Sequence, residues 1–488
     1  MTDILPFYGI TYNKAKIRDF NLVLTQPYDK ITPEMQAVYY KRNPYNLVRI
    51  TKGRRFKGDT ENNNQYTRAA GYLNDWMRKN ILVQDNKRAI YAYHQEFYSP
   101  IKGESDRGTE IRKGFIGLMH LVEFGQGGVH PHERTLLKPK QDRLSTMRAV
   151  GGSTGQIFML YSDPKLVINK ALARVTDHKP ADIKLKDDYG VINKLWKVTA
   201  PGIIRIVQDT MRKKDVFIAD GHHRYETALN YRNEMRALGL KCIGNESYEN
   251  RMMTFVNMDD KGLVVLPTHR LIFGLKDFSF NNLLAKLKQY FWINEYPTRT
   301  AKEEKASRNE FSEDLKMTGE KAHAFGLVVK GVKKYLVLTL KNDKVMDKVI
   351  TDKQSPTWKR LDVTILHSLI LEKLLGITKD QVANEENVNY IRSEDEAIDS
   401  VRKGRPARMT QSGGYQMAFI LNPTKVSEVK TVSLKGERMP QKSTDFYPKL
   451  LSGIVISKIN YLHQMETKVS AKGRKTRQGC AICSATFK

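Results

Sequence analysis

Short apolar runs alternate along the chain with stretches of helical spacing, and glycine, proline or charged residues separate them. Residues 88–99 (RAIYAYHQEFYS), 114–124 (GFIGLMHLVEF) and 156–161 (QIFMLY) are rich in β-branched, aromatic and apolar residues and predict strands. Residues 141–150 predict a helix entered past Pro139 and ended by Gly151 and Gly152. The run VFIA at 216–219 predicts a short buried strand that leads directly into Asp220 and Gly221. Residues 224–238 follow as a helix, with Tyr225, Ala228, Leu229 and Met235 on one face and Gly239 as its stop. Residues 252–258 predict another strand.

Beyond about residue 275 the pattern changes. Residues 280–291 look helical, and 323–329 and 333–340 flank Lys330-Gly331-Val332 as a hairpin. Residues 361–375 form a strongly apolar helix ended by Gly376. Ser393 and Glu396 have the spacing of a capping box for a helix over 394–403, and 417–421 is a short strand stopped by Asn422-Pro423. The segments 184–197 and 330–341 are rich in lysine and read as solvated surface. No repeat of solenoid period occurs. This alternation predicts a mixed α/β (α+β) protein: an N-terminal domain over 1–275, a second domain over 276–455 and a basic extension over 456–488.

Composition narrows the class. Of 488 residues, 40% are hydrophobic, enough to build cores and too many for a largely disordered chain. Three cysteines exclude a disulfide scaffold, and no run approaches the roughly 20 apolar residues of a membrane helix. The first residues, with Asp3 and no apolar core, do not form a secretory signal. A cytoplasmic protein without a membrane partner is the expectation. Lys and Arg total 82 against 53 Asp and Glu, a net charge of +29, which favours polyanions or phosphorylated small molecules. Residues 468–488 carry no acid but Lys468, Lys472, Arg474, Lys475, Arg477 and Lys488, a candidate contact for nucleic acid or simply a solubilising terminus. Cys480 and Cys483 are spaced as CxxC, but no second ligand pair completes a zinc ribbon.

The segment FIADGHHRYETA (217–228) is the most informative. A buried strand ends in Asp220-Gly221, and a helix starts with His222-His223-Arg224. Gly221 permits a sharp turn, a helix start at a strand end suits a phosphate, and Arg224 can add a bidentate contact. The simpler reading is an Asp N-cap with satisfied imidazoles, but two His beside Asp and Arg at such a turn favour a site. The loop VHPHERTLLKPKQDR (129–143) adds His132, Glu133, Arg134, Thr135, Lys140 and Arg143, all phosphate- or proton-compatible. The turns Gln26-Pro27-Tyr28-Asp29 and Asn43-Pro44-Tyr45-Asn46 supply Tyr28, Asp29, Asn43 and Asn46 as candidate pocket residues, although taken alone ordinary turns explain them better. GxGxxG, Walker A, HExxH and GxSxG motifs are absent.

Taken together these motifs resemble a bacterial and archaeal family catalogued as domain of unknown function 1015. The matching pieces are QPYDKITPE, RNPYNLVRI, PHERTLLKPKQDRL, QIFMLYSDP and FIADGHHRYETAL, then FVNMDDKGLVVLPTHRLI, SPTWKRLDVTILHSLILE, AFILNPTKV and MPQKSTDFYPKLLSG. They run from Pro6 to about Gly453, so the CxxC lies outside them. The DGHHR box is also similar to a core element of the ParB/sulfiredoxin superfamily, where a turn before a helix binds nucleotide phosphates. Sulfiredoxin has Cys where this chain has His222, and its chemistry needs that thiolate, so that activity is not expected. The arginine-rich box and helix-turn-helix of chromosome-partitioning ParB proteins are missing. The nearest motif is that of ParB-like free serine kinase, which phosphorylates serine with ADP.

The resemblance implies a ParB/sulfiredoxin-like nucleotide-binding core in a phosphotransferase that uses ADP or ATP with Mg²⁺ on a small hydroxyl-bearing metabolite, such as serine. Gly221, Arg224, His132, Arg134, Thr135, Lys140 and Arg143 would hold phosphates. Asp220 or Glu133 would take the substrate proton or hold Mg²⁺, and His222 or His223 would contact the transferred group. The alternative is a non-enzymatic regulator that binds nucleotide or nucleic acid.

Overall fold

The computed structural model describes residues 2–100, 108–133, 137–242, 244–404 and 414–461. Arg134, Thr135, the basic tail and the CxxC lie outside these residues. The chain forms two compact units. The first runs through Pro131, then to Leu263, and takes the chain up again from Pro448; the second comprises His132, Glu133 and Val264–Tyr447.

The first unit is organised on a nine-stranded mixed sheet. Its order is Val129–Pro131, Val216–Asp220, Ile157–Tyr161, Asn250–Asn257, Thr109–His120, Ile90–Tyr98, Ile192–Val198 and Ile183–Lys186, with Ile4–Leu5 added to Thr109–His120. Val216–Asp220 runs parallel to Val129–Pro131, and Ile157–Tyr161 parallel to Asn250–Asn257; the other pairings are antiparallel. The central strands are buried along their length, which explains why they read as continuous apolar runs. Ile157, Met159, Met253 and Phe255 face a core completed by Met147 and by Tyr225, Ala228 and Tyr231 of the helix His222–Ala237.

The lysine-rich segment 184–197 is not simply surface. Ile183 and Leu185 point inward while Lys184 and Lys186 are exposed, the period-2 alternation of a half-buried strand. The returning segment is structural too: Ser457–Lys458 pairs with Gly152–Ser153, and Ile456 bonds Ile10 through both backbone groups. The core of this unit therefore extends into the region read as a basic extension.

The second unit carries a six-stranded antiparallel sheet, ordered Phe291–Pro297, Lys334–Leu340, Ala324–Val329, Met417–Leu421, His269–Ile272 and Val388–Ile391. Its hairpin is the one expected around Gly331, which has φ 76°. Both faces are covered by apolar clusters. The apolar helix expected over 361–375 begins as α-helix at Asp362–Thr364 and continues as π-helix over Ile365–Leu374 before Gly376. Ser393 caps Glu394–Arg402 by accepting the Glu396 amide at 3.1 Å. No helix among the described residues is long and apolar enough to cross a membrane.

Candidate functional site

The strand Val216–Asp220 is buried until its last residue. Its register with Ile157–Tyr161 shifts between Ile218 and Asp220, an irregularity of the kind that re-aims a side chain at a sheet end. Gly221 follows with φ 96° and ψ 29°, a conformation that side chains other than glycine's rarely adopt. The helix His222–Ala237 starts immediately. Its first-turn amides have no intrahelical acceptor and carry the positive end of the helix dipole. Arg224 folds back over the turn. It donates to Asp220 Oδ2 at 3.2 Å and to the carbonyl of Gln156. A Cβ on Gly221 would lie 2.9 Å from Arg224 Nε, so the glycine also makes room for the guanidinium.

Three distant segments of the same unit converge here. The loop of Tyr28 and Asp29 is tied down by Lys52, whose ammonium donates to the Tyr28 carbonyl at 3.1 Å. Arg143, on the helix Leu137–Val150, lies with its guanidinium carbon 3.9 Å from the centre of the Tyr28 ring. It also donates to Asp142 at 3.1 Å and to the Thr51 carbonyl at 2.8 Å. Lys140 on the same helix is ion-paired with Glu226. From the returning segment, Lys449 reaches to 3.8 Å from Asp220. Arg112 and Gln95, both buried, hold that segment by donating to the carbonyls of Pro448 at 2.5 Å and Lys449 at 3.0 Å.

The fields follow from this packing. Burial pushes the Asp220 carboxyl up, but Lys449, Arg224, Lys30 and His222 together overcome it and hold the group far below the usual carboxylate range. Burial and, to a lesser degree, Lys140 push His223 down, against the opposing pull of Glu226, Asp29 and Asp220. Burial raises Tyr28, with Arg143 opposing. At neutral pH Asp220 is therefore a poor proton acceptor and a good anchor, while His223 is neutral and able to accept a proton. Among these charges, Lys30, Lys52, Lys140, Arg143, Arg224 and Lys449 outnumber Asp29, Asp142, Asp220 and Glu226, with which they interact.

His132 and Glu133 belong to the second unit. His132 is buried, its Nε2 sits 2.8 Å from Thr444 Oγ1, and its carbonyl accepts from the Met439 amide. The segment read as one loop over 129–143 is thus divided between a strand, the second unit and a helix. Asn43 and Asn46 make turns: the Asn43 side chain accepts from the Tyr45 amide, and the buried Asn46 side chain accepts from Val48 and donates to Leu22. Among the described residues no cluster of three His, Cys, Asp or Glu is placed to hold a metal ion. Sequence reasoning missed Lys30, Lys52, Lys449 and Arg251, which line the region from other parts of the chain. Lys30 and Lys449 stand in the pieces QPYDKITPE and MPQKSTDFYPKLLSG, and Arg251 is a single charge at the head of the apolar strand RMMTFV.

No curated protein matches the sequence. Among solved structures, a variant of free serine kinase in complex with ADP aligns over 65% of this chain and 84% of its own, with 14% identity and a TM-score of 0.31. A conserved hypothetical protein from Pyrococcus furiosus aligns over 69% and 91%, with 15% identity and a TM-score of 0.28. A C-terminally truncated SbnI from Staphylococcus aureus aligns over 67% and 82%, with 12% identity and a TM-score of 0.27. The family profile described as "Protein of unknown function (DUF1015)" matches residues 4–364, and the chain belongs to that family.

Proposed function

We propose that this protein is a nucleotide-dependent phosphotransferase that binds ADP or ATP at the turn of Gly221 and phosphorylates a small hydroxyl-bearing metabolite, of which serine is the first to test. The observation that carries the reading is the gathering of Arg224, Arg143, Lys140 and Lys449 around a glycine-entered helix start. Such a site can bind phosphate oxygens through backbone amides and neutralise the charge of a transferring phosphoryl group.

In this reading the acceptor hydroxyl oxygen forms the new bond to phosphorus as the bond to the leaving phosphate oxygen breaks. The hydroxyl proton passes to the neutral imidazole of His223. Arg224, fixed by Asp220 and the Gln156 carbonyl, contacts the phosphates, and Asp220 holds Arg224 and Lys449 in place rather than acting as base. Asp220 or Asp29 would offer a carboxylate to Mg²⁺ bound with the nucleotide, whose chemistry there would be charge neutralisation. Arg134 and Thr135 remain candidates from the sequence alone.

The test is product formation. The full chain, incubated with ADP or ATP, Mg²⁺ and a panel of hydroxyl amino acids and sugars, should generate a phosphomonoester resonance in the ³¹P NMR spectrum. The Arg224→Ala variant should lose both the product and nucleotide binding. Unchanged nucleotide affinity in that variant would refute the site assignment. A second reading, a nucleic-acid-binding regulator, draws on the +29 charge. It predicts oligonucleotide affinity that falls steeply with salt and weakens on removal of the residues after Tyr461. The cut belongs there because the segment up to Tyr461 is part of the first unit's core.

A further inference from the structure

Beside the Gly221 turn, within the first unit, a narrow cleft of about 50 Å³ is lined by Tyr28, Arg143, Arg224, Thr227, Arg251 and Ser452. Arg251 distinguishes it. It lies on the strand Asn250–Asn257, two residues before Met253, on the face that Met253 and Phe255 turn toward the core. It is 9% exposed. Its Nη1 points at Met147 Sδ, 3.4 Å away, and its Nε has no hydrogen-bond acceptor among the described residues. No carboxylate among them pairs with it.

Other buried arginines have oxygen acceptors, even where one nitrogen, such as Arg270 Nε, is unpartnered as Arg251 Nε is. Arg232 is paired with Glu123 and donates to the Leu121 carbonyl at 2.7 Å, and Arg270 donates to the carbonyls of Thr268 and Lys442. Burial and the neighbouring Arg224 charge push Arg251 down to about 10, which leaves it cationic at neutral pH. A buried cation without a counter-charge is costly, and that cost is met when an anion enters. The cleft suits this. Two further guanidinium groups and hydroxyls line it, and it has room for a small anionic group.

We propose that Arg251 forms the floor of an oxyanion subsite that takes a single phosphate or carboxylate group of a small ligand, with Arg224 and Arg143 on its walls. Arg224 then serves two neighbours, the Gly221 turn and this subsite. The proposal rests on the cleft alone and does not require nucleotide binding. If the phosphotransferase reading also holds, the subsite assigns an anionic group to the acceptor.

The test uses the full chain and the variant Arg251→Met, which matches the neighbouring methionines in volume and character. Melting temperature is followed against inorganic phosphate and, separately, acetate at constant ionic strength. Wild type should be stabilised by one or both, phosphate alone marking a phosphate subsite and acetate a carboxylate one. Arg251→Met should bind that anion about 10- to 100-fold more weakly, the loss of a charge-assisted contact. Without anion its melting temperature should equal or exceed that of wild type, because an uncompensated charge has gone. Arg251→Lys, which keeps the charge but not the fork, should retain part of the response. No response of wild type to either anion, or an unchanged response in Arg251→Met, would overturn the proposal. An ADP titration of Arg224→Ala reads the nucleotide site separately, so the two readings can fail independently.

Discussion

Replacing Gly221 by alanine perturbs the site at its tightest point. The residue has φ 96°, and an alanine there pays about 1–2 kcal/mol for a left-handed backbone. The new Cβ also meets Arg224, 2.9 Å from Nε and 3.0 Å from Cζ. The guanidinium must move, which weakens its bonds to Asp220 and to the Gln156 carbonyl. Those charge-assisted bonds are worth about 1.5–3 kcal/mol each to whatever state makes them. The expected result is a stability loss of about 2–4 kcal/mol and an ADP affinity reduced about 10- to 100-fold as Arg224 leaves its phosphate-facing position. Gly239, at the other end of the same helix, supplies the control. It has φ 65° and open space where a Cβ would stand, so Gly239→Ala should cost only the backbone part and leave ADP binding unchanged. Urea denaturation and calorimetric ADP titration of the two variants measure both quantities. Equal stability losses with ADP binding unaffected in Gly221→Ala would refute the argument that Gly221 exists to seat Arg224.

Two further predictions concern each unit's own stability. Burial and then Lys113 push His94 down to about 4, and burial and then Arg270 push His269 down to about 3. The unfolded chain takes up these protons near pH 6.5, before the folded one does, so stability is full above that pH and falls as pH drops. The loss is about 1.4 kcal/mol per pH unit per group, ending near pH 4 for His94 and near pH 3 for His269. His94→Phe, beside Trp196, should flatten the slope of first-unit stability between about pH 6.5 and 4, as read by denaturant titration; an unchanged slope would contradict the burial argument. Arg112→Leu should release the segment after Pro448 from its anchor, so that limited proteolysis cuts within 448–461 under conditions where wild type is intact. Resistance equal to wild type would show that the strand pairing of that segment suffices without the arginine.

The parts of this architecture that are local were legible in the sequence. The hairpin about Gly331, the Ser393 cap and the strand–turn–helix of 216–237 depend on side chains within a few residues of one another, and each stands where its pattern put it. The lysines of 184–197 misled because alternation was outweighed by charge: Leu185 and Leu195 are buried between them. The apolar run of 361–375 announced a helix but not its wider π turns, since seven of its buried residues report packing on several sides rather than hydrogen-bond register. The site was half legible. Tyr28, Asp29 and Arg224 carried turn or helix-start signals, and Lys140 and Arg143 stood in a loop dense in phosphate-compatible groups. Lys449 stands in a matching piece, but nothing local ties it to Asp220, which it reaches only after the chain has passed through the second unit. His132 and Glu133 stood in a loop that read equally well as charged surface, and they fall in the second unit, where His132 Nε2 lies 2.8 Å from Thr444 Oγ1.

The central claim is that the Gly221 turn is a nucleotide site. A thermal-shift screen of the full chain against ADP, ATP, CTP, GTP and pyrophosphate, with and without Mg²⁺, tests it most directly, because a ligand that binds only the folded state raises the melting temperature by mass action. The account predicts a rise with ADP or ATP that exceeds the rise with pyrophosphate, and its loss in Arg224→Ala. No shift with any of these ligands would contradict it.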